Sequence, residues 1–171
     1  MPAKSALRTS FGSAGGSDRS ALLEQDLGTG TRLRCEFAMF LEKRPSTRSM
    51  DVLRIRTTAQ GVANYNLLFG VSPAGSGTFR EDVFLPDGGC GCPRKEANPP
   101  TFPDARWVRV TVEVSFATAA ASVAYDGQVI AAGMFGGITP TSSVFVAVGS
   151  LAYDPQPSVI LFDDFSCTLS P

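Results

Sequence analysis

An alternating apolar and polar pattern runs through most of this chain and restricts what it can fold into. The clearest case is Trp107–Phe116, in which every second residue from Val108 onward is apolar. Successive side chains of a β-strand point to opposite faces of a sheet, so this pattern predicts a strand with one buried face. No segment has the sustained spacing of a stable helix. The further predicted strands are Lys4–Ser10, Ala21–Leu27, Thr31–Glu42, Met50–Thr57, Asn64–Val71, Thr78–Leu85, Ser122–Tyr125, Val144–Gly149 and Ser158–Leu169.

Turn residues separate these strands at intervals of roughly 8–12 residues, which favours an antiparallel sandwich or barrel. Asp126–Gly127 predicts a two-residue hairpin, because Asp and Gly tolerate the positive φ angles of a type I′ turn. Pro86–Asp104 has no periodicity and is predicted to be a long loop, either a surface insertion or a functional segment. With 171 residues and no interior linker, residues 1–171 are predicted to form one all-β domain. The residues predicted to face its core are Leu33, Phe37, Met39, Leu53, Ile55, Leu67, Phe69, Val83, Val110, Val112, Val114, Val146, Val148, Leu161 and Phe165.

Histidine is absent from the sequence, which excludes several kinds of catalytic and metal site. A Ser-His-Asp triad, a Cys-His pair and the common histidine zinc sites all need an imidazole. The net charge of −1 argues against general affinity for nucleic acid. No apolar run approaches the roughly 20 residues of a membrane helix, so no membrane span is predicted. The first eleven residues lack the apolar stretch of a secretory signal, so no signal peptide is predicted in them. The alternative is that a signal peptide has already been removed.

Three motifs follow one another in the second half of the chain. They are WVRVTVEV (Trp107–Val114), the hairpin signal Asp126–Gly127, and a last strand that carries Asp163–Asp164 before Phe165. The stretches SALRTSF and RLRCEFAMFLE precede them. This succession resembles the concanavalin A-like jelly rolls, especially the laminin-G-like domains of bacterial surface and secreted proteins. The resemblance implies an all-β, two-sheet antiparallel β-sandwich of the concanavalin A-like jelly-roll type, with curved sheets, and binding of carbohydrate or protein. A monomer is expected. The alternative architecture is a tumour-necrosis-factor-like jelly roll, which would form trimers.

The chain has four cysteines: Cys35, Cys90, Cys92 and Cys167. An even number at scattered spacing fits disulfides in an oxidising compartment, and the alternative is buried free thiols in a reducing one. The resemblance places the last strand beside RLRCEFAMFLE and so implies a bond between Cys35 and Cys167. Cys90 and Cys92 are then left to a local bridge or to no bond. A disulfide predicts an extracellular or cell-envelope location.

The adjacent acids Asp163 and Asp164 lie among apolar residues of the last strand. A carboxylate in such surroundings needs a partner. The resemblance implies calcium, because a last-strand aspartate helps to hold calcium in some hydrolases of this fold. The alternative is a structural role, with hydrogen bonds to loop backbone or to an arginine. The structural role is favoured because calcium needs several clustered oxygens and the sequence shows this pair alone. No other cofactor is predicted.

Polar residues at the exposed positions of several strands predict a ligand-binding face. Arginine and asparagine can hydrogen-bond sugar hydroxyls and acidic groups, and a tryptophan can stack on a sugar ring. The alternative is a solvated face of cross-strand charge pairs. Hydrolases of the resembled fold use Glu-x-Asp-x-x-Glu on one strand, and this run is absent here, which disfavours a glycoside hydrolase. The sequence therefore predicts no enzyme but a non-catalytic, carbohydrate-binding module of a secreted or cell-envelope protein. The alternative is a structural or adhesion domain that binds a cell-surface protein. The predicted ligand-binding residues are Arg54, Arg56, Asn66, Arg80, Asp82, Arg109 and Trp107.

Overall fold

The chain folds into β-strands that form two antiparallel sheets. The computed structural model describes residues 7–11, 19–45, 49–74, 77–87, 89, 96–97, 101–134, 139–152 and 157–171. Among these residues, none forms a helix with the length and apolar character that crossing a bilayer would require. The described strands are β1 (Leu7–Phe11), β2 (Arg19–Asp26), β3 (Arg32–Lys43), β4 (Met50–Ala59), β5 (Val62–Val71), β6 (Gly77–Phe84), β7 (Glu96–Ala97), β8 (Trp107–Ser115), β9 (Ala120–Tyr125), β10 (Gln128–Met134), β11 (Phe145–Ala152) and β12 (Ser158–Ser170).

Each sheet contains six of these strands. The back sheet has the order β1-β12-β3-β8-β9-β10, and the front sheet has the order β2-β11-β4-β5-β6-β7. This arrangement confirms the predicted fold class, an all-β, two-sheet antiparallel sandwich. Within the predicted loop Pro86–Asp104, the two residues of β7 add a short strand to the front sheet by pairing with β6. The Asp126–Gly127 hairpin is also confirmed, since both residues have positive φ angles, of 48° and 83°.

The core lies between the two sheets and is built by the alternation of the strands. On β3, the side chains of Leu33, Cys35, Phe37, Met39 and Leu41 are at most 2% exposed, while the residues between them are not buried. Burying a large apolar side chain stabilises the fold by about 1.5–3 kcal/mol. Most of the predicted core is confirmed, with Val83 and Phe165 only partly buried against it.

A β-bulge in β12 makes one core prediction wrong. The register between β12 and β3 shifts between Asp163 and Ser166. Before the shift Ile160 and Phe162 are buried, and after it Phe165 packs against the core. An extra residue in one strand moves every later side chain to the other face. Leu161 was predicted to be in the core with Phe165. It precedes the bulge and lies between the buried residues Ile160 and Phe162, so it faces away from the core and is only half-buried.

A disulfide joins Cys35 and Cys167, which confirms the pairing implied by the resemblance. The two residues are directly opposite each other on β3 and β12, and they are 132 residues apart in the sequence. The bond therefore ties the last strand to a central strand of the back sheet. Cys90 and Cys92 lie outside the described residues, so their predicted local bridge stays a prediction.

Candidate functional site

Five predicted ligand-binding residues lie together on the outward side of the front sheet. Arg56 of β4 is opposite Asn66 of β5, which is in turn opposite Asp82 of β6. In the neighbouring row, Leu68 separates Arg54 from Arg80. Adjacent strands are about 4.8 Å apart, so the two rows form a continuous polar surface across three strands. We call this surface the arginine face; it comprises Arg54, Arg56, Asn66, Arg80 and Asp82.

The prediction that Arg109 and Trp107 share this surface is wrong. Both belong to β8, which is in the back sheet between β3 and β9. Trp107 is 43% exposed, and its ring centroid lies 5.6 Å from that of Phe40. Arg109 donates to Asp164 over 3.4 Å. Alternation shows which side of a strand a residue occupies but not which sheet the strand joins, so the two arginine groups could not be separated from the sequence.

Glu24 organises the open side of the arginine face. One of its carboxylate oxygens lies 3.2 Å from Arg54 Nη2, and the other lies 3.1 Å from Arg56 Nη2. The Arg56 guanidinium also lies 5.0 Å above the ring of Phe145. One carboxylate thus holds two guanidinium groups side by side. Because Arg56 remains 38% exposed, the pair still presents positive charge to a ligand.

The other side of the arginine face is buried and acidic. Arg80 lies 2.9 Å from Asp51 and 3.4 Å from Asp82, and the side chains of Arg80 and Asp51 are 12% and 3% exposed. Removing one member of such a buried pair leaves an uncompensated charge, so these contacts position Arg80 firmly. Asp82, with 22% of its side chain exposed, is the more accessible of the two acids.

The outward side of the front sheet is tightly packed around the arginines. Leu68 and Ala147 point outward, and yet they are nearly fully buried. A Cβ atom added to Gly70 would lie 2.6 Å from the carbonyl oxygen of Met50 and 2.8 Å from Thr78 Oγ1, so a larger residue does not fit there. The Nε atom of Arg54 is buried and has no hydrogen-bond partner within the described part of the chain. The surface between the arginines is therefore closely packed, and Arg54 Nε is covered by its neighbours.

Three contributors to this surface were missed by the sequence reasoning. Glu24 lies on β2, which the sequence does not assign to the front sheet, and the aromatic residues Phe145 and Phe84 flank the surface. Phe84 is 39% exposed and lies two residues beyond Asp82 on the same side of β6. The alternation of Arg80, Asp82 and Phe84 was the signal that could have revealed this aromatic edge.

The described tyrosines do not belong to the site. Tyr65 and Tyr125 lie in the core, at 2% and 7% exposure. Burial raises the pKa of both hydroxyls, and the nearby charge of Glu81 and a hydrogen bond to it raise the pKa of Tyr65 further. Neither hydroxyl will ionise near neutral pH. Carboxylates are therefore the candidate bases at the arginine face, and those that contact its arginines are Glu24, Asp51 and Asp82.

Asp163 directly precedes the bulge of β12, and Asp164 lies within it. The backbone N–H of Asp164 donates to Asp163 Oδ1 over 2.8 Å, and Asp164 adopts a positive φ of 52°. Within the described ranges, no three acidic or cysteine side chains come close enough together to hold a metal ion. The contacts of the pair are those of a structural turn, and calcium binding by Asp163 and Asp164 stays a prediction.

No protein-family model and no curated protein sequence matches the chain. Solved structures match it in fold. The alginate lyase A1-II′ of polysaccharide lyase family 7 superimposes with a TM-score of 0.63 at 12% identity, over 96% of this chain and 79% of that one. The family 7 alginate lyase AlgAT5 superimposes with a TM-score of 0.59 at 10% identity, over 95% of this chain and 77% of that one. An alginate lyase from Pseudomonas aeruginosa superimposes with a TM-score of 0.54 at 16% identity, over 82% of this chain and 65% of that one. At these identities the likeness establishes the jelly-roll β-sandwich.

These matches contradict the predictions that the chain is a non-catalytic binding module and not an enzyme. Solved structures that match 95–96% of its length include alginate lyases. The absence of histidine and of Glu-x-Asp-x-x-Glu excludes particular mechanisms, whereas an elimination reaction needs neither an acid triad nor a nucleophile.

Proposed function

We propose that this protein is a polysaccharide lyase that cleaves a uronate-containing polysaccharide by β-elimination on the arginine face. The observation that carries the proposal is the side-by-side placement of Arg54 and Arg56, held by Glu24. It occurs in a fold similar to that of alginate lyases over 96% of the chain. Alginate is a polymer of uronic acids, and arginine matches carboxylate groups in charge and geometry.

In this reaction a base removes the proton from the carbon next to the uronate carboxylate. The electron pair of that C–H bond forms a carbon–carbon double bond, and the glycosidic C–O bond on the neighbouring carbon breaks. The departing oxygen then takes a proton. Negative charge builds up on the carboxylate during proton removal, so a fixed guanidinium beside it stabilises the transition state. Arg56, which is partly exposed and held in place by Glu24, is suited to this role.

Asp82 is the proposed base. It lies two strands from Arg56 with Asn66 between them, a separation of about 10 Å at the usual strand spacing. One sugar residue fits in that space, with its carboxylate at Arg56 and its acidic C–H facing Asp82. Asp82 has one arginine contact, to Arg80 over 3.4 Å, whereas Glu24 is engaged by two arginines and Asp51 is nearly fully buried. Asp82 is therefore the most available of the three acids to a substrate. Asn66 can hydrogen-bond the sugar between them.

The test is cleavage of defined uronate polymers by the purified protein. Polymannuronate, polyguluronate, polygalacturonate and hyaluronate are incubated separately, and the ultraviolet absorbance of the unsaturated uronate product is followed. At least one polymer should be cleaved. Arg56→Ala should lower kcat/KM by about 100-fold or more, and Asp82→Asn by a similar factor. Arg8→Ala is the matched control, because Arg8 also forms an exposed ion pair, with Glu42, but on the back sheet.

Three outcomes would overturn the proposal. A folded protein that forms no unsaturated product from any of the polymers is not a uronate lyase. New reducing ends without a double bond would show hydrolysis instead of elimination. Full activity in both Arg56→Ala and Asp82→Asn would place the reaction elsewhere. Circular dichroism of each variant shows whether a loss of activity reflects unfolding.

The finer predictions about location and assembly are also proposals. The disulfide persists in an oxidising compartment, which supports a protein that is exported to the cell envelope or beyond. We propose a monomer with a glycan as its partner, which sedimentation would check against the trimer of a tumour-necrosis-factor-like fold. We also propose a closer kinship with laminin-G-like domains. Adding a chelator to the cleavage assay tests the proposed calcium at Asp163 and Asp164.

A further inference from the structure

A cavity of about 860 Å³ opens on the outward side of the back sheet. Its walls come from β3, β8, β9, β10 and β12, so it is on the opposite side of the sandwich from the arginine face. Small-molecule sites typically have volumes of roughly 300–1,000 Å³. No sequence motif points to this cavity, and the proposed lyase reaction does not use it.

The cavity arises from a step in side-chain length across the sheet. Arg34 of β3 is opposite Glu113 of β8, which is opposite Ser122 of β9, and Ser122 is opposite Ala132 of β10. The next row runs from Arg32 through Ser115 to Ala120. Long charged side chains on two strands therefore stand beside short ones on the next two, and the difference in height leaves open volume above the short residues.

Among the described residues around the cavity, one guanidinium has no ion-pair partner. Arg34 forms ion pairs with Glu113 and with Glu36, the latter over 2.6 Å. The Glu36 pair raises the pKa of Arg34 and lowers that of Glu36, so these groups are ionised together. Arg32 is exposed at the cavity, and within the described residues no ion pair involves it. An anionic group that enters the cavity can pair with Arg32 without displacing a carboxylate.

The remaining lining has the chemistry of a sugar site. Thr168, Ser170 and Ser122 line the cavity with hydroxyl groups, which can donate to and accept from sugar hydroxyls. Ala120 and Ala132 supply small apolar patches at which the apolar face of a pyranose ring can pack. We propose that this cavity binds a single acidic sugar unit, with the sugar carboxylate at Arg32 and its hydroxyls at Thr168, Ser170 and Ser122. The site is separate from the arginine face, so the two proposals stand or fall independently.

The test is a titration of the isotopically labelled protein with sodium glucuronate, glucose and sodium sulfate, followed by NMR. Glucuronate should give saturable shifts at the cavity residues. Arg32→Ala should weaken its binding by about tenfold or more, because a charge-assisted contact is lost. Ala132→Trp should abolish binding by filling the volume. Arg8→Ala is the control outside the cavity, and it should leave the glucuronate-induced shifts of the cavity residues unchanged.

The three probes separate the sources of binding. Binding of glucuronate well above that of sulfate and glucose supports a site that reads carboxylate and hydroxyls together. Equal binding of sulfate would reduce the cavity to a simple anion site and overturn the assignment. Equal binding of glucose would show that Arg32 has no role. An absence of saturable shifts, or binding that survives both Arg32→Ala and Ala132→Trp in folded protein, would also overturn it.

Discussion

Removal of the Cys35–Cys167 bond is expected to destabilise the protein by several kcal/mol. The bond closes a loop over a sequence separation of 132 residues, which is most of the chain. In the chain-entropy model a cross-link over that distance restricts the unfolded chain by about 5 kcal/mol at 25 °C. Measured disulfides typically contribute about 2–4 kcal/mol. We therefore expect a loss of about 2–5 kcal/mol in the double variant Cys35→Ala, Cys167→Ala.

Urea unfolding of four samples measures this loss: the wild type and the double variant, each with and without reductant. The oxidised wild type should be the most stable. Reduction should bring the wild type close to the double variant, which differs from it further only by the small space left at the buried Cys35 side chain. The double variant has no Cys35–Cys167 bond to reduce. Any effect of reductant on its free energy of unfolding is therefore assigned to Cys90 and Cys92.

Two results would refute this reasoning. A difference below about 1 kcal/mol between oxidised wild type and double variant would mean that the unfolded chain is not restricted as the loop length requires. A peptide map of the unreduced protein that joins Cys35 to Cys90 or Cys92 would show that the bond itself is assigned wrongly.

Two further predictions concern the turns of the back sheet. A hydrogen bond from Arg106 and a second from the backbone N–H of Arg109 lower the pKa of Asp126. This stabilisation is present above the unfolded-state pKa and is lost as the pH falls through the folded-state pKa. Asp126→Asn should therefore lower the free energy of unfolding by at most about 1 kcal/mol at neutral pH and by nothing in strong acid, as measured by urea unfolding across pH. An equal loss at every pH would contradict this. Asp164 has a positive φ of 52°, which glycine adopts freely and valine does not. In thermal unfolding, Asp164→Gly should therefore retain wild-type stability, while Asp164→Val should lose about 1–2 kcal/mol. Equal losses in the two variants would exclude backbone strain as the cause.

The elements of the fold can be predicted from the sequence because their causes are local. The alternation of Leu33, Cys35 and Phe37 determines which side of β3 is buried, whatever the strand pairs with. Asp126–Gly127 likewise determines its hairpin, because the turn depends on the φ angles of two residues. The Cys35–Cys167 bond needed more than local pattern: the resemblance implied the neighbouring strands, and the register brought the two residues opposite each other.

The arginine face and the cavity depend on contacts between distant segments, which no local pattern encodes. Arg56 and Arg109 have the same alternation, yet they lie on opposite sheets because β4 and β8 pair with different strands. Glu24 reaches Arg54 and Arg56 only because β11, from the other end of the chain, pairs with both β2 and β4. The bulge at Asp164 reverses the faces of β12 midway, which the uniform spacing of the sequence cannot show. Strand formation depends on near neighbours in the chain, whereas the position of each side chain in the sites depends on which strands pair.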